Sequence, residues 1–126
     1  IRHRERSPWL PFFQHLSDSA PAILHAAHHI GGYPLAKLAQ MVIDDARLRQ
    51  EPTKRMLAAI EELLRHLEDG SSGQQTAVQT GWHTTIEQDF AINAEICLLV
   101  DDLRYRLVVV QLESEADMSA RKRGAA

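Results

Sequence analysis

The stretch Phe90-Ala91-Ile92-Asn93-Ala94-Glu95-Ile96-Cys97-Leu98-Leu99-Val100 decides how the chain is read. Phe90, Ile92, Ala94, Ile96, Leu98 and Val100 alternate with Ala91, Asn93, Glu95, Cys97 and Leu99. Successive side chains of a strand point to opposite faces, so this period of two predicts a half-buried strand. Before it, Val78, Thr80, Trp82, Thr84 and Ile86 alternate with Gln79, Gly81, His83, Thr85 and Glu87, which predicts another strand ending at a Gln88-Asp89 turn. After it, Asp101-Asp102 predicts a second turn, because Asp tolerates left-handed geometry. A third strand is expected from about Leu103 to Leu112. Leu103 and Tyr105 alternate there with Arg104 and Arg106, and Leu107-Val108-Val109-Val110 then runs apolar without interruption. Such a run implies a bulge or a strand covered on both faces.

Upstream the hydrophobic period is 3.6, the signature of helices. A first helix is expected from about Ala20 to Ile30, with Ser19 as N-cap, Pro21 in the first turn and Gly31-Gly32 at the end. A second is expected from about Pro34 to Arg49, with Leu35, Leu38, Ala39, Val42 and Ala46 on one side. A third runs from about Pro52 to Asp69 on Met56, Ile60, Leu63, Leu64 and Leu67, and Gly70 stops it. Ser71-Ser72-Gly73-Gln74-Gln75 reads as a connection. The expected fold is α+β, with three N-terminal helices packed on a C-terminal three-stranded antiparallel meander. The whole of 1–126 reads as a single domain: 1–16 an aromatic and basic segment, 20–69 the helical half, 76–113 the β half, 114–126 a polar tail.

Pro8 and Pro11 resist a continuous helix through 1–16, yet Trp9, Phe12 and Phe13 lie there. These aromatics are expected to dock, either on the chain's own helical layer or in a partner's groove. On the third strand, Val108, Val110 and Leu112 fall on the face opposite Leu107 and Val109. If helices cover one face of the sheet, the other needs a cover, and a second copy, a partner or the aromatic segment could supply it. Trp9, Phe12, Phe13, Val108, Val110 and Leu112 are therefore the expected partner-binding residues.

With a formal net charge of -3 in 126 residues, general binding to a nucleic-acid backbone is disfavoured. Basic residues gather at the ends, Arg2, Arg4 and Arg6, then Arg121, Lys122 and Arg123, as solvated tails do. A lone cysteine, Cys97, cannot form a disulfide within one copy, and no apolar run is long enough for a membrane span. The N-terminus has no signal-peptide pattern, so the cytoplasm is the expected compartment.

The search for chemistry yields little. His25 and His29 lie one helical turn apart beside His28, with His15 or His66 as outside candidates for a third metal ligand, but no acid sits between them. Cys97 and His83 fall on neighbouring expected strands, where a nucleophile and base could approach. Asp44-Asp45 and Glu61-Glu62 diverge by about 100° on a helix, and Asp101-Asp102 is used by a turn, so no acid/base pair forms. No glycine-rich loop precedes a lysine-bearing helix. No catalytic residue, metal, cofactor or small-molecule substrate is expected.

The expected function is a non-enzymatic protein-interaction module: an accessory, neutralising or regulatory subunit, and a homodimer through the sheet is one form of it. One alternative is a small metal-binding protein built on the helix histidines. Another rests on element order: three helices followed by a hairpin resembles a winged-helix DNA-binding transcriptional regulator, with 53–67 as the reading helix. Lys54 and Arg55 begin that helix, but Glu61, Glu62, Glu68 and Asp69 follow and would repel phosphates.

Overall fold

A computed structural model describes residues 7–72 and 83–125, and among them every regular element is an α-helix. The order is α1 (Trp9–Asp18), α2 (Ala20–Leu48), α3 (Lys54–Ser72) and α4 (His83–Ala125). The expected α+β fold is overturned. Residues 90–100 and 103–112, read as strands, are consecutive turns of the 43-residue α4. The expected strand at 78–86 falls partly at 78–82, outside the described residues, and its remainder opens α4. With no sheet among the described residues, self-association through a sheet is overturned with it.

The physical reason lies in the seam that α4 buries. Among its described side chains, from 90 to 124, Asn93, Ile96, Val100, Leu103, Leu107 and Val110 are buried. They recur at alternating steps of three and four, the spacing that keeps one helical face against a neighbour. The even-numbered apolar residues of 90–100 are real, but only Ile96 and Val100 of the six lie in this seam, and Leu98 is 70% exposed. Asp101 and Asp102 do not turn the chain. Asp102 instead takes both its oxygens to Arg106 Nε, at 3.1 and 3.0 Å, the i,i+4 pairing of a helix.

The aromatic segment also differs from its reading. Pro8 precedes α1 and Pro11 sits in its first turn, where a missing N–H breaks no helical bond. Ser7 caps the start, its Oγ accepting from Trp9 N at 3.1 Å. α1 can therefore bury Trp9, Phe12, Phe13 and Leu16. Trp9 and Phe12 meet edge to face, with ring centroids 5.8 Å apart and planes at 81°.

α2 folds back on itself. Drawn straight, its 29 residues would span about 43 Å. Arg47 Nε nevertheless donates to Ser17 Oγ at 2.9 Å, so the end of α2 returns to its beginning. The reversal is at Gly32, with φ 66° and ψ -152°. A side chain at that backbone geometry is strained, and glycine is the residue that adopts it freely. Both arms, 20–31 and 33–48, carry small residues on their buried sides, Ala20, Ala26 and Ala27 on one and Ala39 and Ala46 on the other.

α3 starts at a Thr53 cap, whose Oγ1 accepts from Met56 N at 3.0 Å. It lays Met56, Ile60, Leu63, Leu64 and Leu67 into the core. α2 packs on α1 and α3, α3 on α4, and α1 closes against α4. All the buried apolar side chains join one cluster.

Candidate functional site

The polar cluster with most chemistry in it lies where α1 meets α4. His15 Nε2 lies 2.9 Å from Asp102 Oδ2, and Ser19 Oγ lies 3.5 Å from the same nitrogen. Serine, histidine and aspartate in contact suggest a hydrolytic relay, but the geometry forbids one. A relay needs the carboxylate on one ring nitrogen and the hydroxyl on the other. Here both face Nε2. That nitrogen gives its hydrogen to the carboxylate and has no lone pair left for the serine proton. Partial burial raises the Asp102 carboxyl, and hydrogen bonds from Arg106 and His15, with their charges, overturn this and hold it below its ordinary value. The cluster is a clamp joining the aromatic helix to α4.

Other sequence-derived candidates do not converge. His25, His28 and His29 are all exposed on α2. Among the described residues, no group of three His, Cys, Asp or Glu side chains is placed to hold a metal ion. Cys97 and His83 lie on one helix, fourteen positions or about 21 Å apart, and cannot form a nucleophile–base pair. Cys97 Sγ is instead 3.3 Å from Ser71 Oγ, which donates to the Glu68 carbonyl at 3.2 Å. This chain ties the end of α3 to α4. Arg104 meets Glu68 across the same pair of helices, Nε to Oε2 at 3.4 Å.

Two larger clefts open on the bundle, and two smaller ones border α4, one lined by Trp9, Leu57, Val108 and Leu112 and one by Pro11, Phe12 and Tyr105. The first of the larger pair, about 870 Å³, lies between α1 and the end of α2, bordered by Leu10, Phe13, Gln14, Arg47 and Arg49. The other, about 690 Å³, lies beside the reversal of α2, with Pro34, Leu35 and Leu38 on its wall and Glu62 and His66 at its rim. His66 Nε2 is 3.7 Å from Glu62 Oε1, and both are about half exposed. The first cleft also carries His15, Ser17 and Asp18 on its wall, with Ser17 Oγ accepting from Arg47 Nε at 2.9 Å and His15 Nε2 held 2.9 Å from Asp102 Oδ2.

The six expected partner-binding residues separate into two groups. Trp9, Phe12, Phe13 and Val110 are buried at 3, 4, 1 and 2% exposure, inside the protein's own core. Val108 and Leu112 are exposed at 53 and 59%. Beside them on α4, Leu98 and Tyr105 are exposed at 70 and 71%. At 100° per residue these four lie on the side of α4 opposite its buried seam. Leu98 and Tyr105 were not among the expected binding residues, because reading 90–112 as strands separates them from Val108 and Leu112. A helical wheel drawn over the same residues collects all four.

No family model, curated protein or solved structure matches the chain. No helix among the described residues is long and apolar enough to cross a membrane.

Proposed function

We propose that the protein is a non-enzymatic, all-helical protein-interaction module whose binding surface is the outward side of α4. The observation that carries this reading is the stripe Leu98–Tyr105–Val108–Leu112, four large side chains more than half exposed on one helix already buried on its other side. Scattered apolar residues are ordinary on a surface, but a row of them at helical spacing is a docking face. The His15–Asp102–Arg106 clamp supports this indirectly, since it ties α4 to the bundle and so gives a partner a rigid helix to meet. The cytoplasm suits such a module, its lone Cys97 needing no oxidising compartment.

The winged-helix alternative finds no support in this arrangement. Its wing would be drawn from residues that enter α4, and Glu61, Glu62, Glu68 and Asp69 line the exposed side of the expected reading helix.

Site-specific photo-crosslinking in native host cells tests the proposal. Photoreactive residues at positions 98, 105 and 112 are expected to give discrete adducts, and the same probe at exposed Lys37 and Arg65 to give none. Equal labelling at all five positions, or none at the stripe, refutes it.

A further inference from the structure

Resting on that reading of α4, we infer that the occupant of the stripe is a second copy of this chain, with the two α4 helices paired antiparallel. The stripe is self-complementary. Leu98, Tyr105 and Leu112 recur every seven residues, and Ala94, Asp101 and Val108 fall at the alternate step between them, all six exposed. This is the spacing of a two-helix seam. Turned over about a two-fold axis near residue 103, the row matches itself layer by layer. Ala94 faces Leu112 of the second copy, Leu98 faces Val108, and Asp101 faces Tyr105. Small meets large in the outer layers and apolar meets apolar in the next. The one acid of the row meets its one hydroxyl, which a tyrosine donates to a carboxylate. An antiparallel two-fold contact is isologous, so each of these pairs occurs twice.

The parallel arrangement fails on the same residues, because it stacks Asp101 on Asp101. The flanking charges also accommodate the antiparallel one. The axis brings Arg104 towards its own copy and Asp102 towards its own copy. Arg104 is already paired with Glu68, and Asp102 with Arg106 and His15, so the like charges meet partly neutralised. The bundle borders the row on both flanks, Trp9 and Leu57 sharing a shallow cleft with Val108 and Leu112, and Pro11 and Phe12 sharing one with Tyr105, so the second helix seats between these walls.

Sedimentation equilibrium of the full chain, with cysteine pairing in a Cys97→Ser background, tests this. The chain is expected to be a dimer at micromolar concentration. Leu98→Lys and Val108→Lys, both at exposed positions that leave the protomer folded by circular dichroism, are each expected to raise the dissociation constant at least about 100-fold. In the antiparallel register an equimolar mixture of Leu98→Cys and Val108→Cys chains forms the mixed disulfide. Leu98→Cys alone does not, its two sulfurs being held about 15 Å apart. A dimer untouched by both lysine variants, or ready self-crosslinking of Leu98→Cys alone, overturns the inference. A monomer at submillimolar concentration also overturns it. If that monomer still gives photo-adducts with another protein at the stripe, the binding-face reading stands while the self-pairing falls; a monomer without adducts removes both.

Discussion

At the scale of single residues, Asp102 carries a pH dependence whose direction follows from its surroundings. Its folded carboxyl holds a proton less tightly than an unfolded one, through Arg106 and His15. On acidification the unfolded chain therefore takes up the proton first, and stability falls. The contribution is complete above the ordinary carboxyl value of about 4 and disappears as the pH drops through the lower folded value. Asp102→Asn is expected to melt below the natural chain at neutral pH, with the gap closing towards acid. Thermal unfolding measured from neutral to acid pH checks this, and a gap independent of pH counts against the clamp. Gly32 makes a second residue-level case. Its φ of 66° lies where a Cβ is strained, so Gly32→Ala is expected to lose about 1–3 kcal/mol in urea unfolding. An unchanged midpoint would mean that the reversal of α2 does not depend on this geometry.

At the scale of elements, the helices expected within 20–69 were legible, though Gly70 does not stop α3, which continues to Ser72, and α4 was not legible, for a physical reason. Ile23, Ala27, Leu35, Ala39, Val42, Ile60 and Leu67 lie on helices with one buried side, so their spacing reads cleanly. α4 is apolar on two opposite sides, one facing the bundle and one facing out. Two apolar sides on one helix produce local alternation, and over eleven residues that alternation imitates a strand. Val108-Val109-Val110 reinforces the impression through β propensity, which tertiary packing overrides here. The decisive signal was the missing punctuation: no Gly or Pro occurs from His83 to Arg123, so neither expected hairpin had its turn residues. Of the six residues expected to bind a partner, Val108 and Leu112 are exposed on α4 while Val110, Trp9, Phe12 and Phe13 are buried, and the strand reading gives no reason to group Leu98 and Tyr105 with the exposed pair. The contact between α2 and α3 gives a prediction at this scale. A Cβ on Gly70 would overlap Ile30 Cγ2, so the two helices approach as closely as they do because residue 70 has no side chain. Gly70→Ala is expected to cost about 1–3 kcal/mol by overpacking. Ile30→Ala in the same chain is expected to recover part of that loss, so the pair is non-additive in a double-mutant cycle. Strict additivity would place the strain elsewhere.

At the scale of the whole molecule, the length of α4 sets what is stable and what is not. Its 43 residues extend about 64 Å, and its last fully buried side chain is Val110. From Gln111 to Gly124 every residue is exposed or half-buried, and Asp117–Arg121, at 3.1 Å, is an ion pair within the helix itself. A surface i,i+4 pair of this kind contributes a few tenths of a kcal/mol, and a segment of this length alone is marginal as a helix in water. Its order therefore comes from the seam upstream, so it is expected to open locally while the bundle stays closed. Amide exchange is expected to be slow from Ile96 to Val110, at the rate of global unfolding, and to accelerate steeply beyond Leu112. Removal of residues 114–126 is expected to leave the melting temperature unchanged, because none of the described side chains from 114 to 124 is buried. It is also expected to leave the paired α4 helices intact, since the self-complementary row runs from Ala94 to Leu112. Slow exchange at 114–124, or a lower melting temperature after truncation, would mean that this end of α4 is packed against a surface beyond its own bundle.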